Sequence, residues 1–377
     1  MTSKLNLLIY PSTLEGASRI EKLANSLQQS SLEFSETHAV GIHRAGLNEV
    51  EEIAPGVKLV RIAGSTRRGT LGNVLKLIQW RPRVYKFYKD KPLASVATHN
   101  VWLLPLAYRL SKKTGAVLVY NAHELETETI AGKGLKQWVT KYIERRYIKQ
   151  VKVVSVVNES IADWYENHYP ITRPISVTNI PLDDGTSVNL RAELGITDDN
   201  LLFIHTGHLT YGRNIPLILQ KFAENGKAHV VFLGDGPLRQ DVVAASTTSL
   251  NIHWISPVPP HSVVGYARGA DAGLNLIEYV SLSDKLSTSN KLFEALAAGI
   301  PSLSSDLPEA RRFLGENADD WILESPKDEL GEFLIRVDAE LIAKFKKTLR
   351  SLPSWEDQVA PLIEAYRSAL ASSNNRQ

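Results

Sequence analysis

No cysteine occurs anywhere in the 377 residues, and methionine occurs once. Disulfides and thiolate metal ligands are thereby excluded, and a reducing compartment is compatible with the chain without being required by it. No stretch of eighteen apolar residues is present, so no membrane-spanning helix is expected. The opening Met1-Thr2-Ser3-Lys4-Leu5 runs straight into a strand-like stretch and lacks the pattern of a secretory signal, which makes a cytoplasmic location the expectation. There is no Asp-x-Asp triplet to grip a metal diphosphate, no Gly-x-x-x-x-Gly-Lys-Ser/Thr loop, no Gly-x-Ser-x-Gly elbow and no zinc-spaced histidine set. A P-loop enzyme, a serine hydrolase and a zinc enzyme are set aside. Neither a metal nor another cofactor is expected, and no nucleic-acid partner.

What remains is a globular composition, 43% apolar and 22% charged, in a chain long enough for two α/β domains. A net charge of +2 says little, but its distribution says more. From Arg61 to Lys91 there are nine Lys/Arg and one acid (Asp90), with Trp80, Tyr85, Phe87 and Tyr88 among them. From Lys133 to Lys152 there are seven Lys/Arg and one acid (Glu144), with Trp138, Tyr142 and Tyr147. Such runs are either solvated helix faces over an apolar stripe or surfaces that attract something anionic, a membrane or a phosphate-bearing acceptor.

Apolar runs of strand length alternate with segments of helical period, the pattern of βαβ units. Residues 5–10, 37–42, 57–62, 93–97, 116–120 and 151–157 read as strands, and 16–27 as a helix with Ile20, Leu23, Ala24 and Leu27 on one face. The turn-rich Leu182-Asp183-Asp184-Gly185-Thr186-Ser187 reads as a linker, after which the pattern restarts. Strands are expected over 201–206, 230–233, 252–255, 272–277 and 301–303, with helices over 213–222, 238–245, 260–268 and 291–298. The expected architecture is α/β: two Rossmann-like doubly wound domains, residues 1–182 and 187–350, with a last helix (355–372) crossing back to the first. Ligands of open parallel sheets bind beyond the strands' carboxyl ends, so functional residues should follow strands.

Four segments do. In Ser289-Asn290-Lys291-Leu292-Phe293-Glu294, Ser289 and Asn290 are good N-caps, and Leu292 and Phe293 begin an apolar face. Free N–H groups at such a terminus, with Lys291 beside them, suit a diphosphate, and Glu294 one turn in could reach an attached ribose. The same residues also make an ordinary capped helix. Thr206-Gly207-His208-Leu209-Thr210-Tyr211-Gly212-Arg213 follows a strand; its glycines permit close backbone approach, and Arg213 offers forked donors to phosphate. The turn Gly234-Asp235-Gly236-Pro237 is a weak signal, because βα turns need glycines for structural reasons alone. Tyr120-Asn121-Ala122-His123-Glu124 delivers a histidine and an acid to a strand end, making His123 a catalytic candidate against the commoner structural reading.

Taken together, these segments resemble the retaining glycosyltransferases of the GT-B fold, family four. The resemblance spans nearly the whole chain and includes Val177-Thr178-Asn179-Ile180-Pro181 and a closing Trp-x-x-Gln, Trp355 to Gln358. It implies transfer of a hexose from a nucleoside-diphosphate sugar donor to an unidentified acceptor, a glycan, lipid-linked or small molecule. It also implies that Gly16 and Ala17 approach the donor phosphates, His123 the transferred sugar, the backbone at Pro257 and Val258 the nucleobase, and Glu294 the ribose hydroxyls. The family's Arg and its Lys five residues later fall on His208 and Arg213. Its first glutamate, eight residues before Glu294, falls on Leu286, with Asp284 and Lys285 as neighbouring substitutes. Two other readings stay open: an epimerase or hydrolase of nucleotide sugars on the same fold, and a catalytically silent nucleotide-sugar-binding protein.

Overall fold

Successive side chains of a strand point to opposite faces, and Leu5–Ile9 (β1) uses both: Leu7 and Ile9 pack into one helical layer, Leu8 into the other, and none reaches solvent. Asn6, the polar residue among them, accepts a 2.6 Å hydrogen bond from Ser95 Oγ. A computed structural model of the chain describes residues 4–30, 32, 34–64, 69–129, 134–197 and 199–374. Arg67, Arg68 and Lys133, counted above in the basic runs, lie outside the described residues.

The chain divides into two compact units, Met1–Thr178 with Trp355–Gln377, and Asn179–Ser354. In the first unit β1 is joined by Thr37–Ile42 (β2), Val50–Ala54 (β3), Val57–Ile62 (β4), Leu93–Thr98 (β5), Val117–Ala122 (β6), Val153–Val156 (β7) and Ile175–Ser176 (β8). They lie in the order β3-β4-β2-β1-β5-β6-β7-β8, parallel except for β3. Helices Gly69–Tyr88 and Leu104–Thr114 cover one face, and Ser18–Gln29 and Trp355–Asn374 the other. The second unit holds Leu202–Thr206 (β9), His229–Leu233 (β10), Ile252–Ile255 (β11), Ala272–Asn275 (β12), Ser302–Ser305 (β13) and Ile322–Leu323 (β14), all parallel, in the order β11-β10-β9-β12-β13-β14. Each sheet is doubly wound, as the alternating pattern implies. No helix among the described residues is long and apolar enough to cross a membrane.

Differences from the expected elements have local causes. Strand β3, Val-Glu-Glu-Ile-Ala, was not expected because its sequence reads as polar. It is an antiparallel edge strand, where charge discourages pairing with another chain, and its Glu51 is bonded to Arg61 at 2.8 Å. The 260–268 helix is split into a 3-10 turn, Pro260–Ser262, and a short helix, Val263–Ala267. Strand β12 stops at Asn275, and the Ile277 N–H then donates to Ser305 Oγ (2.9 Å). The stretch Leu182 to Ser187 belongs to the second unit, where Arg268 donates to Asp183 Oδ2 at 2.6 Å and to the Thr186 carbonyl.

The closing Trp-x-x-Gln fastens the last helix to the first unit. Trp355 is almost buried, its ring N–H donates to Ser26 Oγ (2.9 Å), and the Lys22 ammonium lies 4.4 Å from its ring centroid. Gln358 Oε1 accepts from the Thr178 N–H at 3.2 Å. Truncating a buried tryptophan costs about 3–5 kcal/mol. Trp355→Ala should therefore lower the urea midpoint of unfolding by a corresponding amount. Trp355→Phe, which keeps most of the packing, should lose about a third of that.

Candidate active site

Strands β9 and β12 are neighbours between which the strand order of the second unit reverses, and the crevice beyond such a pair is where a doubly wound sheet takes its ligand. Thr206 closes β9. Its hydroxyl donates to Glu294 Oε2, one turn into the helix Asn290–Ala297, and Oε1 has no partner among the described residues. Burial pushes the Glu294 carboxyl up, while Thr206 and Lys291 draw it back down. Lys291 is half-buried. Withdrawal from water, reinforced by the nearby Arg213 charge, pushes its ammonium down to about 8, with Glu294 opposing. A Cβ on Gly207 (φ +86°) would stand 3.9 Å from Lys291 Nζ, so the glycine leaves the space beside the ammonium open.

Arg213 lies on the loop rather than opening a helix. The helix Ile215–Asn225 starts two residues on, after Asn214 at φ 53°, and Arg213 Nη1 donates only to the Gly212 carbonyl, at 3.3 Å. Among the described residues neither Arg213 nor Lys291 has an ion-pair partner. Two close cations with one carboxyl pushed toward neutrality make a positive pocket, and its chemistry calls for a dianion.

Two expectations need correction here. Asn290 does not cap the helix. Ser289 does, its Oγ accepting from the Lys291 N–H at 3.3 Å, and Asn290 Oδ1 accepts from Asn179 Nδ2 instead. The N–H groups expected to be free are taken at Lys291 and at Leu292, whose N–H donates to the Ser289 carbonyl (3.2 Å) and whose side chain is core. A Cβ on Gly234 would overlap the Gly207 carbonyl oxygen and one on Gly236 that of Leu209, so the Gly-x-Gly turn has a structural reason for both glycines. His208 is exposed on the loop after β9. Pro257 and Val258 lie on the loop after β11, Pro257 exposed and Val258 partly packed against the core. Leu286 ends the short helix Leu282–Lys285; Asp284 is held by its cap, with Ser281 Oγ donating to Oδ2 at 2.6 Å, and Lys285 is exposed.

In the first unit the reversal falls between β1 and β5. Tyr10 follows β1, His99 follows β5 and His123 follows β6, so three rings meet at one sheet edge: Tyr10 lies 6.2 Å from His99 and 5.8 Å from His123. His99 Nδ1 and His123 Nε2 are 3.0 Å apart. Behind them Ser155 Oγ donates to Asn121 Oδ1 (2.5 Å), which turns the Asn121 amide nitrogen toward His99 Nε2 at 3.4 Å. An amide N–H facing Nε2 makes that nitrogen an acceptor. The His99 proton is then on Nδ1 and is donated to His123 Nε2, which leaves the proton of His123 on its own Nδ1. Both rings are held neutral, His99 down to about 3 and His123 well below the usual range, by burial first and then by the Arg19 charge. Arg19 in turn donates to the Val177 carbonyl at 2.8 Å. On the loop after β1, Gly16 (φ +63°) has open space where a Cβ would stand, and Ala17 sits at the N-cap of Ser18–Gln29 without a side-chain cap.

Among solved structures the chain is similar to the sucrose-phosphate synthase of Thermosynechococcus elongatus, at 11% identity over 98% of this chain and 100% of that one, with a TM-score of 0.78. It is similar to HepE of Anabaena in complex with UDP and glucose (12%, 98% and 100%, TM-score 0.70). It is also similar to WaaG, a glycosyltransferase involved in lipopolysaccharide biosynthesis (14%, 98% of each chain, TM-score 0.61). No curated protein matches the sequence. Residues 213–348 match the model of a glycosyl transferase-like family, a span that begins at Arg213 and contains Lys291 and Glu294. The chain has the GT-B fold, and its second unit is similar to a glycosyl transferase-like family.

Sequence reading missed several residues that line the two sheet edges. His99 carried the same signal as His123, a histidine just past an apolar run. Asn121 and Ser155 gave none, since each is one polar residue within a buried strand. His205, in β9, is wholly buried with neither ring nitrogen partnered among the described residues, and burial together with the Lys291 charge keeps it neutral.

Two measurements follow from this geometry. Lys291 loses its proton as pH rises through about 8, so affinity for inorganic pyrophosphate should fall roughly tenfold between about pH 7 and 9. Lys291→Arg should flatten that dependence, because a guanidinium stays charged. If His99 acts through His123, His99→Phe should lower kcat by about tenfold and His123→Ala by about a hundredfold, and the double variant should be no worse than His123→Ala alone. Additive losses would break the coupling.

Proposed function

We propose that the protein is a glycosyltransferase that moves a hexose from a nucleoside-diphosphate sugar to an acceptor hydroxyl, with retention at the anomeric carbon and without a metal ion. The observation that carries this reading is the pair of cations, Arg213 and Lys291, with no ion-pair partner among the described residues, beside the half-buried Glu294 at the reversal point of the second sheet. Glu294, with Thr206 on one oxygen and the other free of described partners, is suited to a ribose diol. The complexes of HepE with UDP-glucose and with UDP support the donor class. Among the described residues no group of three or more His, Asp or Glu could hold a metal ion.

In the proposed reaction the bond from the sugar's anomeric carbon to the diphosphate oxygen breaks. The acceptor oxygen bonds to that carbon on the same face, and its proton passes to a donor phosphate oxygen. Charge grows on the departing diphosphate, and Arg213 and Lys291, already in place and poorly hydrated, stabilise it with little reorganisation. His123, assigned to the transferred sugar by resemblance, is neutral and presents Nδ1–H as a donor rather than a base.

Replacing both Arg213 and Lys291 with Ala should lower turnover by about a thousandfold, while EDTA leaves the native enzyme unchanged. Turnover that survives the double substitution sinks the reading. Proton NMR of the product checks retention. Incubation of donor alone separates transfer from the alternatives, since an epimerase changes the sugar and a hydrolase frees it without any acceptor.

A further inference from the structure

The two basic, aromatic runs are not equivalent. In the first, Trp80 and Tyr88 are core residues, Tyr85 lies under the Arg109 guanidinium (4.6 Å) and Phe87 under the Lys91 ammonium (4.2 Å). In the described part of that run the aromatics are thus core residues or lie under cations.

The second run forms the helix Leu135–Tyr147, and its two sides differ sharply. Inward, the fully buried Glu144 carboxylate accepts from three phenols: Tyr120 at 3.1 Å, Tyr165 at 2.5 Å and Tyr169 at 2.6 Å. A buried carboxylate is tolerated only when its lone pairs are satisfied, and here the phenols tie the helix to β6 and to the Glu159–His168 helix and the residue after it. Outward, roughly 120–180° round the helix from Glu144, stand Leu135, Trp138 and Tyr142, at positions i, i+3 and i+7. They are 77%, 65% and 57% exposed. The Trp138 and Tyr142 rings lie nearly parallel (13°) with centroids 5.9 Å apart.

Arg145 and Arg146 flank the stripe at its carboxyl end, exposed, followed by exposed Lys149. The helix's only acid is Glu144, which is buried, so its solvent side carries cations and no carboxylate. Tryptophan and tyrosine prefer the boundary between hydrocarbon and water, and arginines beside them select an anionic headgroup layer. We propose that the outer face of Leu135–Tyr147 docks the protein on an anionic lipid surface, with Leu135, Trp138 and Tyr142 entering the headgroup boundary and Arg145 and Arg146 meeting lipid phosphates. This rests on the helix alone and stands whether or not the donor reading holds.

The test is co-sedimentation of the full chain with phosphatidylglycerol-containing vesicles and with pure phosphatidylcholine vesicles. Two exposed-face variants are compared, L135S/W138S/Y142S and R145Q/R146Q, with thermal unfolding as the check that each keeps its fold. The native protein should sediment with the anionic vesicles at low ionic strength, and salt should weaken this. The apolar variant should lose at least tenfold in partitioning. The arginine variant should lose about tenfold on anionic vesicles and nothing on neutral ones. The proposal is overturned if the native protein ignores anionic vesicles, or if the apolar variant sediments like it. It is also overturned if sedimentation equilibrium without lipid shows a dimer that the apolar variant abolishes, since the stripe would then cover a second copy.

Discussion

The loop after β9 lies flush on the loop after β10, and the arrangement of the second unit's pocket follows from that contact. Three backbone hydrogen bonds close it: Gly207 N–H to Leu233 O (2.8 Å), Leu209 N–H to Asp235 O (2.9 Å) and Leu238 N–H to Leu209 O (3.0 Å). No side chain fits between the loops, which is why Gly234 and Gly236 are glycines. With the loop pinned, Thr206 meets Glu294, Gly207 leaves room for the Lys291 ammonium, and Arg213 stays near it. Left free, the two cations would separate into water. Each backbone bond contributes about 1 kcal/mol, and together they oppose a repulsion of similar size for partly solvated charges. Withdrawal from water first, and the Arg213 charge second, depress the Lys291 ammonium held there.

Burial acts on the histidines of both units in the same direction. His99, His123 and His205 are each pushed toward the neutral form by withdrawal from water, and each then feels a cation, Arg19 in the first unit and Lys291 in the second. A histidine held this far below neutrality is a poor proton shuttle at neutral pH but a well-defined donor and acceptor. The chain Ser155–Asn121–His99–His123 exploits that definition, since each member fixes the proton position of the next. Such an arrangement suits the proposed reaction, in which the donor's own phosphate would carry the proton.

Much of this was readable from sequence wherever burial on both faces forces apolar runs: β1, β2, β4 and β9, and the buried stripe Ile20, Leu23, Ala24 and Leu27. Strand β3 was not, because an edge strand is selected for charge and so reads as loop. Ser289 was legible as a cap, but Asn290 beside it was equally plausible, and only backbone geometry (Ser289 extended, Asn290 helical) separates them. The strand-end histidine His123 was found and His99 was not, though both follow strands; a recognisable motif surrounded only one. Buried polar residues such as Asn121, Ser155 and His205 are the hardest class, since in sequence they look like interruptions of a strand rather than its purpose.

The position occupied by Leu286 sharpens the electrostatics. A glutamate there would place a second carboxylate just before the helix that carries Lys291 and Glu294. Leu286 carries no charge, Asp284 is turned into the Ser281 cap, and Lys285 is exposed. The two cations of the pocket are thus left facing one carboxyl group that burial already disfavours as an anion. In the proposed reaction that imbalance would raise the pull on a dianionic diphosphate, and any hydroxyl met at position 286 would find no charged acceptor there, only neutral groups, whose hydrogen bonds contribute less than charged ones.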